Sequence, residues 1–264
     1  MIRPSRLRHV AYWIAPNAVV GALALMYFFG ARWMQEFVAP AMNREFGALE
    51  SLQNLILLAV IWVAGVGMVR KRTRIERAFL GLTAALTLFL LLEEVDYGWH
   101  YLELWRGTPA PAGAFRNLHN INKAHHYIHD IMMAATVPLF GLFALLGGRT
   151  HIAVLRYLRP HPLSVATLAS MVVVGQAAQL LNRLVVTNRS LKGNLSEFEE
   201  VYLYYVLLLY LCELVFFRSY QAEADEIAVG AAASAPADSA PHSSPSRDPA
   251  GPQEMAPTVV RRRS

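Results

Sequence analysis

Two adjacent carboxylates, Glu93 and Glu94, close a long apolar stretch of the sequence. A carboxylate in such a stretch is costly inside a membrane unless it is paired or hydrated, so function is its default explanation. The position is also unfavourable for structural reasons, because the C-terminal half of a helix disfavours negative charge. We therefore expect Glu93 and Glu94 to act as catalytic acids, bases or ligands.

Histidines follow these glutamates closely. His100 lies seven residues after Glu93, so the two share a face if the helix continues. Imidazole and carboxylate groups suit zinc, iron or manganese. The predicted catalytic residues are Glu93, Glu94 and His119, and the predicted metal ligands are His100, His119, His126, His129, Glu50 and Glu94.

Two kinds of chemistry are open to such a group. A bound divalent ion would activate water or polarise a carbonyl or phosphoryl group. Without a metal, Glu93 or Glu94 would serve as a general acid or base. Alternatively, the histidines lie in the hydrated headgroup region of a membrane and have no catalytic role. The sequence does not decide between these alternatives.

Other carboxylates have structural explanations. Glu199 stands three residues after Ser196, which predicts a capping box at the start of a helix. Glu197 and Glu200 fall in the first turn of that helix, where its dipole favours negative charge, and Glu50 occupies a similar position. We expect Glu199 to be a capping residue rather than a catalytic one.

The composition indicates what kind of protein must position these groups. Of 264 residues, 55% are hydrophobic and only 16% are charged, against roughly 25% charged in a soluble domain. The net charge of +5 arises from arginines between apolar runs, so it does not indicate nucleic-acid binding. The single cysteine, Cys212, excludes a disulfide framework and a cysteine-based zinc site. The predicted class is an all-α polytopic membrane protein.

Six apolar stretches have the length of about 20 residues that a membrane-spanning helix needs. They cover residues 10–30, 49–69, 78–97, 128–146, 163–186 and 198–217. Residues 1–220 are therefore predicted to form a six-helix transmembrane domain. From residue 221 the sequence is rich in Ala, Pro, Ser and acidic residues, which predicts a disordered cytoplasmic tail over 221–264.

Basic residues predict the orientation. They are concentrated before the first span and in the connections after the second, fourth and sixth spans. Because positive charge favours the cytoplasmic side, both termini are predicted to be cytoplasmic. The polar residues of the spans then gather at the opposite end, which predicts one outward-opening pocket built from spans two to six.

Part of the sequence resembles a family of uncharacterised bacterial multi-pass membrane proteins. The resemblance rests on Glu93-Glu94, Gly98 between Tyr97 and Trp99, Thr108-Pro109 and the Asn-Leu-His-Asn run at 117–120. Glu50 also matches an acidic segment before that family's second span. The chain has Val95-Asp96-Tyr97 where the family has Ile-Ser-Trp. The resemblance implies a bacterial inner-membrane protein and brings no established activity.

Two functions agree with these observations. The first is an integral membrane enzyme whose carboxylate and histidine site acts on a lipid headgroup or an envelope precursor. The second is a non-catalytic membrane component, either a small transporter or an assembly partner, in which the polar cluster fixes helix packing or binds a ligand. The expected partners are the lipid bilayer and a lipid-like substrate, with no nucleic acid. The sequence does not give the oligomeric state.

Overall fold

The computed structural model describes residues 4–41, 46–108, 134–147, 150–185, 191 and 195–234. Within these residues the regular structure is helical and there is no strand. The helices are α1 (Arg6–Phe29), α2 (Arg32–Val38), α3 (Ala48–Arg70), α4 (Arg74–Glu94), α5 (Trp99–Arg106), α6 (Ala134–Leu146), α7 (Ala153–Leu158), α8 (Ser164–Leu184), α9 (Glu197–Phe216) and α10 (Tyr220–Ser234).

Four of these helices, α1, α3, α4 and α8, are long and apolar enough to cross a membrane. Helix α9 meets the same criterion together with residues Tyr220–Val229 of α10, and the pair is bent by 68°. The chain is thus all-helical in its described part, with four or five helices that could span a membrane. Only α6, 13 residues long, represents the predicted fourth span, because residues 128–133 lie outside the described residues. The count of six spans stays a prediction.

Helix α9 occupies the centre of the bundle. It packs against α1, α3 and α8, and more than half of its residues are buried. Its first turn contributes Phe198, whose ring lies 6.2 Å from that of Tyr27 and 6.1 Å from that of Phe28 on α1. The outer helices keep large apolar side chains exposed, such as Leu55 and Trp62 on α3. Such apolar outer faces suit a hydrocarbon environment.

Helices α3 and α4 form an antiparallel hairpin. The turn between them is fixed by Thr73, whose hydroxyl accepts a hydrogen bond from the backbone N–H of Glu76 and caps α4. The hairpin packs closely along its length, and α3 also contacts α9. As a result, the first turn of α3 and the last turn of α4 lie at the same end of the bundle.

Helix α4 ends in a left-handed turn. Asp96, Tyr97 and Gly98 have φ values of 48°, 52° and 88°, and α5 begins at Trp99. The expectation that His100 continues the helix of Glu93 is therefore wrong, because the chain changes direction between them. Non-glycine residues with positive φ cost of order 1 kcal/mol each and require support from their surroundings. Asp96 has such support, because its buried carboxylate lies beside His100, whose Nε2 is 3.3 Å from Asp96 Oδ2.

We expect Gly98→Ala to lower the free energy of unfolding by about 1 kcal/mol, because alanine adopts a left-handed conformation poorly. A Cβ atom at Gly98 would meet no atom within 4 Å, so the cost is one of backbone conformation alone. Gly65→Ala in α3 is the matched control, since it also adds a methyl group in open space and has an ordinary helical φ. Denaturant unfolding in mixed micelles measures both. Equal stability of the two variants would contradict the left-handed turn.

Basic residues lie at the other end of the hairpin. Lys71 is 3.4 Å from Glu76, and the backbone N–H of Tyr220 donates to the same carboxylate at 3.1 Å. Arg218 donates to the backbone carbonyls of Tyr157 in α7 and of Arg159 just after it, and lies 3.4 Å from Glu213. These contacts anchor the bend between α9 and α10. Residues 221–234 of the predicted disordered tail belong to helix α10, and residues 235–264 lie outside the described residues.

Candidate functional site

Four glutamates from three helices converge at one end of the bundle. Glu50 lies in the first turn of α3, Glu94 ends α4, and Glu197 and Glu200 lie in the first turn of α9. The strongest electrostatic influences of other residues on Glu200 come from Glu197, Glu94 and Glu50. Glu50 and Glu197 are buried, and Glu94 and Glu200 are half-buried. We call Glu50, Glu94, Glu197 and Glu200 the glutamate cluster.

Hydrogen bonds tie the cluster to neighbouring helices. The hydroxyl of Tyr204 on α9 donates to Glu94 Oε1 at 2.8 Å. The amide nitrogen of Gln53 on α3 donates to the backbone oxygen of Glu197 at 2.8 Å and to its Oε2 at 3.0 Å. Each bond joins two helices, so the position of each carboxylate depends on the tertiary structure.

The residues of α9 in this site share one helix face. Glu197, Glu200 and Tyr204 are spaced by three and four residues, which places them in one row along the helix. The sequence analysis explained Glu197 and Glu200 by the helix dipole and did not single out Tyr204. The regular spacing of the three residues is the signal that could have identified this face.

Glu199 does not form the predicted capping box. Ser196 is the N-cap residue of α9, but its side chain makes no capping hydrogen bond. Glu199 instead packs against the backbone of Gly175 on α8, so closely that a Cβ atom at Gly175 would lie 1.7 Å from Glu199 Oε1. The prediction is wrong because the approach of α8 draws the Glu199 side chain away from the helix start.

Glu93 has a partner in the left-handed turn. Its Oε1 accepts a hydrogen bond of 2.6 Å from the Tyr97 hydroxyl. His100 lies with its Nε2 3.3 Å from Oδ2 of Asp96. Among the predicted site residues, the structure therefore brings Glu50 and Glu94 together, and it gives Glu93 and His100 partners in and beside this turn.

The predicted metal centre is only partly covered. His119, His126 and His129 lie outside the described residues, so their part in the prediction is untested. Within the described part of the chain, no three histidine, cysteine, aspartate or glutamate side chains are arranged to hold a metal ion. A metal ion bound by Glu50 and Glu94 would therefore need ligands from other residues.

Tyr204→Phe is expected to lower the free energy of unfolding by about 1 kcal/mol, because Glu94 loses a hydrogen-bond donor in a buried position. Tyr101→Phe is the matched control, since the Tyr101 side chain is exposed. Thermal unfolding of both variants in lipid nanodiscs gives the comparison. An unchanged midpoint for Tyr204→Phe would mean that the hydroxyl does not bond Glu94.

The arrangement combines negative charge with a phenol and an amide. Carboxylates can accept and return protons, and several of them can bind a cation. Tyr204 orients one carboxylate and Gln53 orients another. No family model, curated protein or solved structure matches the chain. The function is therefore inferred from the residues of the site.

Proposed function

We propose that this chain is an integral membrane enzyme that uses the glutamate cluster as an acid–base site on a lipid headgroup or an envelope precursor. The observation that carries the proposal is the convergence of four carboxylates from α3, α4 and α9. Keeping like charges together in a partly buried place is unfavourable, and enzymes accept that cost where carboxylates must exchange protons.

The proposed setting is a bacterial inner membrane crossed six times, with both termini in the cytoplasm. The glutamate cluster would then face the outer side. This orientation is supported by the charge distribution along the α3–α4 hairpin, because basic residues lie at the end opposite the glutamate cluster. These residues are Arg70, Lys71, Arg72, Arg74 and Arg77. The partial resemblance to bacterial multi-pass proteins is consistent with this setting.

Each cluster residue has a definite part in the proposed reaction. Tyr204 holds Glu94 in place through its hydroxyl. Glu200, beside three other carboxylates, is the group best placed to take a proton from a substrate hydroxyl or amine, because the added proton reduces the repulsion. The same proton can then be returned to a leaving group.

A divalent ion is a separate proposal. Its ligands would be drawn from Glu50, Glu94 and the histidines His100, His119, His126 and His129. It would add Lewis acidity to the site. Since the described residues alone do not form a metal site, no step of the proposed reaction depends on a metal. Elemental mass spectrometry of the purified protein tests it. About one equivalent of zinc, iron or manganese that is lost in Glu94→Ala and in His119→Ala would support it.

The enzyme proposal is tested in vesicles made from a total bacterial lipid extract. We expect the wild type to change the mass of a lipid species, and Glu94→Gln and Glu200→Gln to abolish that change at equal protein levels. Glu226→Gln on α10 is the control, because that residue is exposed and pairs with Arg156 away from the cluster. Unchanged lipids with a folded wild type would contradict the lipid-directed activity.

A second candidate function is a non-catalytic component, such as a transporter or an assembly partner. The two bonds that join helices favour it, since Gln53–Glu197 and Tyr204–Glu94 would also serve to fix packing. Protein level separates the two candidates. If Glu94→Gln and Glu200→Gln both reduce the amount of folded protein as much as they reduce lipid conversion, packing is the role of the cluster.

A further inference from the structure

The amide of Gln53 has incomplete hydrogen bonding. Its nitrogen donates twice to Glu197, at 2.8 and 3.0 Å, so the amide lies beside the glutamate cluster. Its oxygen, Oε1, is buried and receives no hydrogen bond, and the side chain is 0% exposed. An unpaired buried acceptor costs about 1–3 kcal/mol. A hydrogen-bond donor beside Glu197 would remove that cost.

Among the described residues of this region, a second buried amide oxygen also lacks a donor. Oδ1 of Asn54, the next residue of α3, is also buried without a hydrogen bond. Ionised carboxylates accept hydrogen bonds and donate none. The Tyr204 hydroxyl is a donor, but it already donates to Glu94. A ligand that fits this site must therefore bring several N–H or O–H donors.

The charge of the site indicates the charge of the ligand. Among the residues around Glu200, the carboxylates of Glu197, Glu94 and Glu50 have the strongest electrostatic influence on it, and each disfavours a further negative charge. A cation among these groups would convert repulsion into attraction. The unbonded amide oxygens indicate a hydrogen-bond donor, and the neighbouring carboxylates indicate a cation. Together the two observations indicate a positively charged donor.

An ammonium group satisfies both conditions, whereas a metal ion satisfies only one. A primary ammonium carries one positive charge and three hydrogen-bond donors. A metal ion needs several ligands at short distances, and the described residues contain no such group of three. A quaternary ammonium has the charge but no N–H to offer to Gln53 Oε1.

The geometry points to a primary ammonium group as the ligand of the glutamate cluster. Glu197 and Glu200 supply its counter-charge and Gln53 Oε1 accepts one of its hydrogen bonds. This inference rests on the proposed function and names its substrate class, a molecule with a free amine. Two sources share that chemistry, an ethanolamine-type lipid headgroup and a water-soluble amine.

The test measures heat unfolding of the full chain in phosphatidylcholine nanodiscs, whose lipids carry no N–H donor. We expect ethanolamine in solution, phosphatidylethanolamine in the nanodisc, or both, to raise the unfolding midpoint. Tetramethylammonium, with the same charge and no donor, should leave it unchanged. A shift with the lipid alone identifies a headgroup as the source, and a shift with free ethanolamine identifies a soluble amine.

A variant isolates the contribution of the amide. Gln53→Leu should weaken the ammonium effect by about tenfold, because a hydrogen bond to a charged group is lost. Gln221→Leu is the matched control, since Gln221 is an exposed amide on α10. If Gln53→Leu does not fold, the comparison of ethanolamine with tetramethylammonium on the wild type decides alone.

Three results would overturn the inference: no shift with either amine, an equal shift with tetramethylammonium, or an undiminished shift in folded Gln53→Leu. The first would leave an ordered water as the partner of Gln53. The outcome is separable from the enzyme proposal. Ammonium binding without lipid conversion refutes only the enzyme, and conversion of lipids that lack an amine refutes only this inference.

Discussion

Replacing Gly175 by alanine should push the Glu199 side chain out of its contact with α8 and lower the free energy of unfolding by about 2 kcal/mol. The added Cβ atom would lie 1.7 Å from Oε1 of Glu199 and 2.5 Å from its Cδ, so the whole carboxylate must move. Glu199 is on the central helix and directly beside the glutamate cluster. Displacing it disturbs the first turn of α9, where Glu197 and Glu200 also lie.

A second substitution tests the cause of that loss. Glu199→Ala in the Gly175→Ala background removes the overlapping atoms, so the double variant should recover most of the lost stability. Gly21→Ala serves as the control, because a methyl group there meets no atom within 4 Å. Denaturant titrations of the single and double variants give the coupling between the two positions. Additive effects would show that Glu199 does not contact Gly175.

Glu200→Gln is expected to stabilise the protein. Glutamine keeps the size of the side chain and removes one of four neighbouring negative charges, which should raise the free energy of unfolding by on the order of 2 kcal/mol. The gain should be larger at pH 8 than at pH 5, because protons relieve part of the repulsion at the lower pH. Replacing a functional residue often stabilises a protein when the site keeps like charges close together.

Unfolding of the variant and the wild type in nanodiscs at both pH values gives the measurement. Glu226→Gln is the control. It removes a surface carboxylate that pairs with Arg156, so it should lower the free energy of unfolding by less than about 1 kcal/mol. A destabilised Glu200→Gln at pH 8 would contradict the repulsion and would favour a packing role for the cluster.

The positions of the long helices were predictable from the sequence, because an apolar run of about 20 residues is typical of a membrane-spanning helix. The stretch 49–69 corresponds to Ala48–Arg70, and 163–186 to Ser164–Leu184. The end of α4 was not predictable. Gly98 is a helix-stop residue, but the left-handed turn already begins at Asp96 and Tyr97, and non-glycine residues carry little local signal for a positive φ.

The site was predictable in part. Glu50 and Glu94 were identified from their place in apolar helices. Glu197 and Glu200 were explained by the helix dipole. That explanation covers one helix at a time and does not include carboxylates from neighbouring helices. Their role in the site follows only from the approach of α3 and α4.

Tyr204 illustrates why tertiary contacts are needed. Tyrosines recur along α9, and their hydroxyl partners differ. Tyr202 donates to Asn17, Tyr205 to the backbone of Ala11 and Tyr210 to the backbone of Leu158. Nothing in the sequence of α9 distinguishes the tyrosine that reaches a carboxylate from those that reach α1 or the end of α7.

The central claim is that carboxylates from separate helices meet at one site, and a cross-link tests it most directly. In a Cys212→Ser background, Glu50→Cys and Glu200→Cys place thiols on α3 and α9, and a short bismaleimide is added in native membranes. We predict an intramolecular cross-link for this pair and none for Arg70→Cys with Glu200→Cys, because Arg70 is at the far end of α3. A cross-link confined to the Arg70 pair, or absent from both pairs with both thiols reactive, would contradict the convergence.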